Sequence, residues 1–431
     1  MKTIKILALD WTLPKFKSAT TIMLKKVTSS LEKKYNVQII WFIYTDKKIS
    51  EEVYENEKIF DIHEFENGLK AIQKINPDII FIDNHVNLIH CALAIAGKFL
   101  KIPVVTVMST GIIFSTSSVN NIIMILKLFF QKSLPLDSGE EKFMKRGRYF
   151  LSKLKFLIKT QRAIKYKWLR IFQESFSIIK DNISNDVYSV NPKFANDVNC
   201  IHNKKLYEKC IKSGFNESCL VLTGSPLFDD LFTRIQKLKT PKNSGKIRVL
   251  LITFASYEHG IWSKSQRKMV IEKIVKKLDE HKNRIELTIK IHPSSEVLKD
   301  YENIVTPINQ QIAIHQSGDV LDYIEQSDIV ISFSAGSSVL PYVIISKKPL
   351  ILCNFLKEDT NEYLERGLAI ECNNPEKLDE MIFNYTKMNP VKNDNTEKFI
   401  ENVFYKGDGQ AGYRIAEVII KLLENNKQDK K

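Results

Sequence analysis

The sequence predicts an α/β protein built from two Rossmann-like, doubly wound domains facing a cleft, with a helical insert in the first. Three observations carry that prediction. Apolar runs too continuous for half-exposed strands, such as Ile79-Ile80-Phe81-Ile82 and Ile329-Val330-Ile331, alternate with segments of helical periodicity. The alternation lapses in a polar, lysine-rich stretch from about Gln236 to Gly245 and then resumes. A length of 431 residues also exceeds what one ordinary core organises. The expected division is 1–235, carrying an insert at 120–183, then 246–407, with 408–431 as a helix crossing back to the first domain.

In the first domain, strands are expected at Ile4–Asp10, Val37–Tyr44, Asp78–Asp83, Val104–Ser109, Asp186–Val190 and Cys219–Thr223. Helices fall between them at Thr20–Lys34, Gly68–Lys74 and Leu88–Leu100. Asn76-Pro77 and Ile102-Pro103 punctuate a βαβ unit of ordinary dimensions. Between Asn120 and Ile183 the regularity stops, and two or three helices are expected. The second alternation runs Ile247–Thr253, helix Lys264–Leu278, Ile285–His292, Ile312–His315, Asp328–Ser334, Pro349–Asn354 and Leu368–Glu371, closing on a helix at Gly412–Leu423.

Six cysteines without a CxxC pair read as reduced, mostly buried thiols, and no cluster of Cys and His suggests a metal site. The opening residues Met1–Asp10 read as a strand rather than a signal peptide, and no run is long and apolar enough to span a bilayer. The expected location is cytoplasmic, peripheral on the inner face of the membrane. Net charge is +14, which invites a polyanionic partner. From Lys142 to Arg170 there are eleven Lys or Arg and no acid, interleaved with aromatic and apolar residues such as Tyr149, Phe150, Phe156 and Trp168. Such a stretch suits an anionic membrane surface. No recognised nucleic-acid module accompanies the charge, so nucleic acid is not an expected partner.

Chemistry concentrates where strands end, since ligands of open α/β sheets bind outside the carboxyl ends of the strands. Lys290-Ile291-His292-Pro293 closes one strand, with Lys290 and His292 on one face by parity and Pro293 directing the exit. An imidazole there can donate to a phosphate or protonate a departing one. Ser332-Phe333-Ser334-Ala335-Gly336-Ser337-Ser338 closes another strand. Gly336 lets backbone approach a ligand, and Ser337 and Ser338 are expected in the first turn of a helix running through Tyr342 to Ser346, where with Ser334 they make an anion site. After the first strand of the second domain, Ser256 and nearby amides are candidates for the donor phosphates, and Glu258 or His259 for its sugar. His315 ends a further strand and is a candidate for the base or ribose. Asp10, Asp83 and His85 follow strands of the first domain as candidates for a general base, Asp83 alternatively capping the next helix. Thr110-Gly111 offers a close backbone approach. His63, His90, His202 and His281 read as structural. Together the motifs point to a nucleotide-activated donor with a phosphate leaving group.

On Thr223-Gly224-Ser225-Pro226-Leu227-Phe228-Asp229, Lys290-Ile291-His292-Pro293, Ser337-Ser338 with Lys348-Pro349-Leu350-Ile351, and Asp408-Gly409-Gln410-Ala411, the second half resembles GT-B glycosyltransferases of surface-polysaccharide pathways. The likeness is to the capsule-type, sialyltransferase-like and CDP-glycerol glycerophosphotransferase-like groups. It covers residues 219–423, and the first half only in topology. It implies a metal-independent, inverting transfer of a sugar from a nucleotide donor, CMP-sugar favoured, to a surface glycan or lipid-linked acceptor, with no cofactor. His292 would contact the phosphate or assist its departure, and Ser337 and Ser338 would hold it. The groups' acidic base motif has only a loose echo in Asp137-Ser138-Gly139-Glu140-Glu141. Hydrolysing UDP-N-acetylglucosamine 2-epimerases share the Thr-Gly-x-Pro turn but usually carry Ser-Gly-Gly followed by Glu-Glu. Here Gly336-Ser337-Ser338-Val339-Leu340-Pro341 has no acid, which argues against that alternative. A CDP-glycerol-type glycerophosphotransferase is another alternative, and a degenerate domain that only binds glycan or lipid is the non-enzymatic one.

Overall fold

Side-chain parity along the first strand shows how the first sheet is covered. In a computed structural model that describes all residues except 17, 46–47, 51, 84–86, 109–137, 184–189, 237–244, 259–260, 294, 334–338, 357–361, 388–393 and 429–431, Ile4, Ile6 and Ala8 enter one core and Leu7 and Leu9 another. A strand buried on both faces needs a continuous apolar run such as Ile6–Leu9. The chain forms two compact units: one runs from Met1 to Asp230 and resumes at Glu401, and the other comprises Leu231–Ile400.

The first unit carries β1 (Lys2–Asp10), β2 (Tyr35–Ile43), β3 (Val53–Tyr54), β4 (Glu57–Asp61), β5 (Ile79–Ile82), β6 (Val104–Met108), β7 (Val198–Ile201) and β8 (Leu220–Leu222). Its helices are α1 (Ala19–Leu31), α2 (Gly68–Ile75), α3 (Leu88–Phe99), α4 (Ser138–Ala163), α5 (Trp168–Ile183) and α6 (Lys204–Lys212), with α7 (Asp229–Ile235) leading out. The sheet order is β3-β4-β2-β1-β5-β6-β7-β8, parallel except for the β3–β4 pair at the edge. Most expected strands and helices are present within a few residues. The expected strand at 186–190 lies almost wholly outside the described residues. The place beside β6 is taken by Val198–Ile201, which the sequence reading passed over.

The insert holds two described helices, and α4 contributes side chains to the core. Phe156 and Leu157 are buried with α2 and α3 residues. The Gly68 N–H, at the start of α2, donates to Thr160 Oγ1 at 2.8 Å. The apolar run at 122–130 lies outside the described residues.

The Thr223–Asp229 and Asp408–Ala411 motifs meet as one structural latch. Both Asp229 carboxylate oxygens accept from the first amides of α15 (Ala411–Gln428), Ala411 N–H at 3.0 Å and Gly412 N–H at 2.8 Å. Arg414 donates from Nε to the Thr223 carbonyl at 2.7 Å while pairing with Asp408 at 2.8 Å. Gly224 sits at φ +83°, and a Cβ there would lie 3.2 Å from Arg414 Nη2 and the Phe404 carbonyl, so glycine serves both backbone and space. Helix α15 thereby packs on α1, burying Ile415, Ala416 and Ile419 in the core that holds Ile4 and Ile6.

The second unit carries β9 (Ile247–Ile252), β10 (Ile285–Lys290), β11 (Ala313–His315), β12 (Ile329–Phe333), β13 (Leu350–Cys353) and β14 (Ile370–Cys372). Its helices are α8 (Lys264–Asp279), α9 (Leu298–Val305), α10 (Val320–Gln326), α11 (Leu340–Ile345), α12 (Glu362–Glu365) and α13 (Leu378–Lys387), and α14 (Asp394–Phe404) returns the chain to the first unit. The order β11-β10-β9-β12-β13-β14 is wholly parallel and is that of a doubly wound dinucleotide-binding sheet. All six cysteines are free, and five are buried. No helix among the described residues is long and apolar enough to cross a membrane.

Candidate active site

In each sheet the strand order reverses at one point, β1 against β5 in the first unit and β9 against β12 in the second. Ligand sites of this architecture lie outside the carboxyl ends of the strands at that point. The first unit places two carboxylates there. Asp10, the last residue of β1, is buried and accepts from the Thr12 N–H at 3.2 Å and from the Ser18 hydroxyl. Ser18 is also the N-cap of α1, accepting from the Thr21 N–H. Burial pushes the Asp10 carboxyl up from 3.8 to about 6; the Ser18 and Thr12 hydrogen bonds oppose the rise, and the charge of Asp83 adds to it. A carboxyl tuned toward neutrality suits proton abstraction.

Asp83, just past β5, accepts from the Thr20 hydroxyl at 2.7 Å and lies 3.2 Å from His90 Nδ1. His90 Nε2 in turn meets the Tyr44 hydroxyl at 3.0 Å. Asp83 does not cap the following helix; Asn87 does, accepting from the Ile89 N–H at 2.9 Å. His90, read from sequence as structural, therefore belongs to the Asp83 cluster, and the available signal was its place in the first turn of the helix after β5. His85 and Thr110-Gly111 lie outside the described residues.

In the second unit, His292 follows β10. Its Nδ1 accepts from the backbone N–H of Ser295 at 3.1 Å, so the neutral ring carries its proton on Nε2. The turn is pinned by Glu296, which is buried and accepts from the His292 N–H at 2.6 Å, the Thr253 hydroxyl at 2.5 Å and the Tyr301 hydroxyl. Glu296 ties the His-Pro turn to the loop after β9. The sequence reading missed it, because its donors come from three separate stretches of chain. The Pro293 carbonyl accepts from Gln316 Nε2 at 3.3 Å.

Lys290 has a different task from the one its parity suggested. Its side chain is buried, and Nζ donates to the carbonyls of Ile291 at 3.1 Å and Gln316 at 2.8 Å. Burial holds its ammonium below the ordinary lysine value. His315, register partner of Lys290, packs its ring 4.9 Å from that of Tyr323. In the loop after β9, Ser256 is buried, its carbonyl accepting from the Ile261 and Trp262 amides, and its hydroxyl has no partner among the described residues. Glu258 is committed elsewhere: it pairs with Arg267 Nη1 at 2.7 Å, and the buried Arg267 reaches Asp300 at 2.6 Å.

His259, Ser334, Gly336, Ser337 and Ser338 lie outside the described residues. The described helix beyond them begins at Leu340, with Val339 as N-cap. His63 and His202 bond to Asp61 and the Met108 carbonyl respectively, each at 2.6 Å. Among the described residues one group, Glu280, His281 and Asp379, has ligand atoms close enough to share an ion. Glu280 and His281 precede the amino end of β10 and Asp379 lies in the first turn of α13, and Lys277 already stands 3.4 Å from Asp379.

No protein-family model and no curated protein sequence matches this chain. Solved structures do match. A UDP-N-acetylglucosamine 2-epimerase from Methanocaldococcus jannaschii aligns over 98% of this chain and 100% of its own, at 18% identity and a TM-score of 0.53. The UDP-N-acetylglucosamine 2-epimerase from Neisseria meningitidis, bound to its sugar nucleotide, aligns over 98% and 100% at 13% identity and a TM-score of 0.51. A wall teichoic acid polymerase aligns over 99% of this chain and 90% of its own at 12% identity and a TM-score of 0.50. At these identities the likeness is one of fold: the chain has the two Rossmann-like domains of GT-B proteins, as the sequence motifs led us to expect.

Proposed function

We propose that this chain is a GT-B transferase that moves a sugar from a nucleotide-activated donor to a glycan or lipid-linked acceptor, with inversion and without a metal ion. The carrying observation is His292 at the carboxyl end of β10, whose Nδ1 accepts from the Ser295 N–H so that the neutral ring carries its proton on Nε2. In this reading the Nε2–H stabilises charge developing on the leaving phosphate oxygen as the anomeric C–O bond breaks. The Ser256 hydroxyl, with Ser334, Gly336, Ser337 and Ser338, holds the phosphate, and His315 flanks the nucleoside. Asp10 takes the proton of the acceptor hydroxyl, with His85 as the other candidate base. The missing acid after Ser337-Ser338 favours a CMP-sugar over a UDP-sugar.

A second reading is supported by the fold relatives named as UDP-N-acetylglucosamine 2-epimerases, and a third, polyol-phosphate transfer, by the teichoic acid polymerase. Thermal-shift titration with CMP, CDP, UDP and GDP separates them, since stabilisation follows ligand concentration over affinity. A preference for CMP supports the sugar transferase and one for CDP supports the polyol-phosphate transferase. A preference for UDP, with release of UDP and a free 2-epimeric sugar from UDP-N-acetylglucosamine without acceptor, would replace the transferase reading by the epimerase. Activity that disappears in EDTA and returns with a divalent ion would overturn metal independence.

A further inference from the structure

Helix α5 has two apolar faces, and only one of them packs. Ile171, Ser175 and Ile178 are buried, Ile178 in the core beneath α3 and α4. Trp168, Leu169, Phe172 and Phe176, at helical spacing on another side, are 67, 70, 71 and 61% exposed. Phe172 and Phe176 stack on each other with centroids 6.4 Å apart. A stripe of four large apolar side chains along one helix exceeds the scattered single hydrophobes of an ordinary surface.

The surroundings of the stripe are basic. Lys155, Arg162, Lys165, Lys167 and Arg170 are exposed, and Arg162 lies over the Trp168 ring at 5.1 Å. Between residues 150 and 179 the one acid is Glu174, already paired with Arg170 at 2.7 Å. By contrast, Phe156 and Leu157, within the basic segment expected to meet lipid, are buried in the core, whereas the exposed stripe starts at that segment's end, with Trp168 and Leu169, and continues along α5.

We propose that the α5 stripe inserts into the headgroup region of an anionic bilayer, with Trp168, Leu169, Phe172 and Phe176 as anchors and the flanking cations on lipid phosphates. An aromatic stripe bordered by lysine and arginine complements that interface in both polarity and charge. A second copy of this chain would bring an equally cationic rim against the first. The proposal is independent of the transferase reading, because its assay measures binding and no turnover.

The test is flotation of the full chain with vesicles of phosphatidylcholine alone or with about one-third phosphatidylglycerol, at low and high salt. The expected result is recovery with the anionic vesicles about tenfold or more above the neutral ones, weakening with salt. A Phe172→Ser/Phe176→Ser chain and a Lys165→Glu/Lys167→Glu chain should each lose about tenfold or more of that partition at an unchanged melting temperature. Equal recovery with both vesicles, undiminished binding by the phenylalanine variant, or a wild-type dimer in solution that this variant dissolves would overturn it. Should the phenylalanine variant misfold, quenching of Trp168 by brominated anionic lipid in the otherwise native chain reads the same contact. Quenching no greater than in a Trp168→Phe chain would also overturn the proposal.

Discussion

The backbone N–H of Ser295 donates to Nδ1 of His292 at 3.1 Å. Doubly protonating this ring means breaking that bond, so the bond favours the neutral ring with its proton on Nε2, the form the proposed donor role needs. His292→Ala should lower kcat by about 10²–10³-fold, the usual cost of removing one donor to developing negative charge. His292→Gln, which can still present an N–H, should recover part of the loss. Steady-state rates beside melting curves check this, and a fully active alanine variant would remove His292 from the reaction.

Asp10 makes a pH prediction of definite sign. With a folded pKa of about 6 against an ordinary 3.8, the native state binds more protons than the unfolded chain between those values. Stability therefore falls as pH rises through that window, by on the order of 3 kcal/mol at most. Asp10→Asn should flatten this slope and be the more stable protein at pH 7, while losing the acid limb of the rate profile near pH 6. Denaturant unfolding at several pH values tests the first part, and an unchanged slope would contradict it.

Glu258 is assigned to folding by its bond to Arg267. Arg267→Ala should cost about 2–3 kcal/mol, less than for a fully buried pair because Glu258 and Asp300 keep contact with water. Glu258→Gln should leave nucleotide affinity within about twofold, since no energetic contact with a ligand is lost. Calorimetric titration would expose a donor role as a larger loss.

Gly412 is where α15 meets α1. A Cβ at this position would stand 2.9 Å from the Lys26 carbonyl, backbone that cannot rotate away. Gly412→Ala should destabilise the first unit by about 1–3 kcal/mol as the helices separate. A variant with an unaltered melting curve would show that α15 shifts freely on α1.

The fold was legible wherever burial on both faces wrote a near-continuous apolar run, as in β1, β5 and β12. It was illegible where a polar side chain is satisfied from afar. Asn199 interrupts Val198–Ile201, yet its amide donates to the Asn196 and Cys219 carbonyls at 3.2 Å each, so the strand stays buried despite its sequence. The short β3–β4 edge pair is similarly hidden behind Glu57 and Lys58. Asp10, Asp83 and His292 stand out in the sequence as candidates because strand ends are local features. The roles of Glu296 and His90 do not, since they come into being only when Thr253, Tyr301, Tyr44 and Asp83 arrive from other elements. Lys290 and Glu258 read as ligand contacts because sequence carries no sign of the carbonyls and the guanidinium that occupy them.

Residues that leave the ribosome about four hundred positions apart share one core: Ile4 and Ile6 with Ile415, Ile419 and Leu423. Unit order and completion order are therefore reversed during synthesis. Leu231–Ile400 has every strand of its sheet before α15 exists, whereas one face of β1 and α1 waits for the last helix. The nascent chain carries that uncovered apolar face through most of translation, which makes the N-terminal half the part most exposed to misassembly and most dependent on a chaperone.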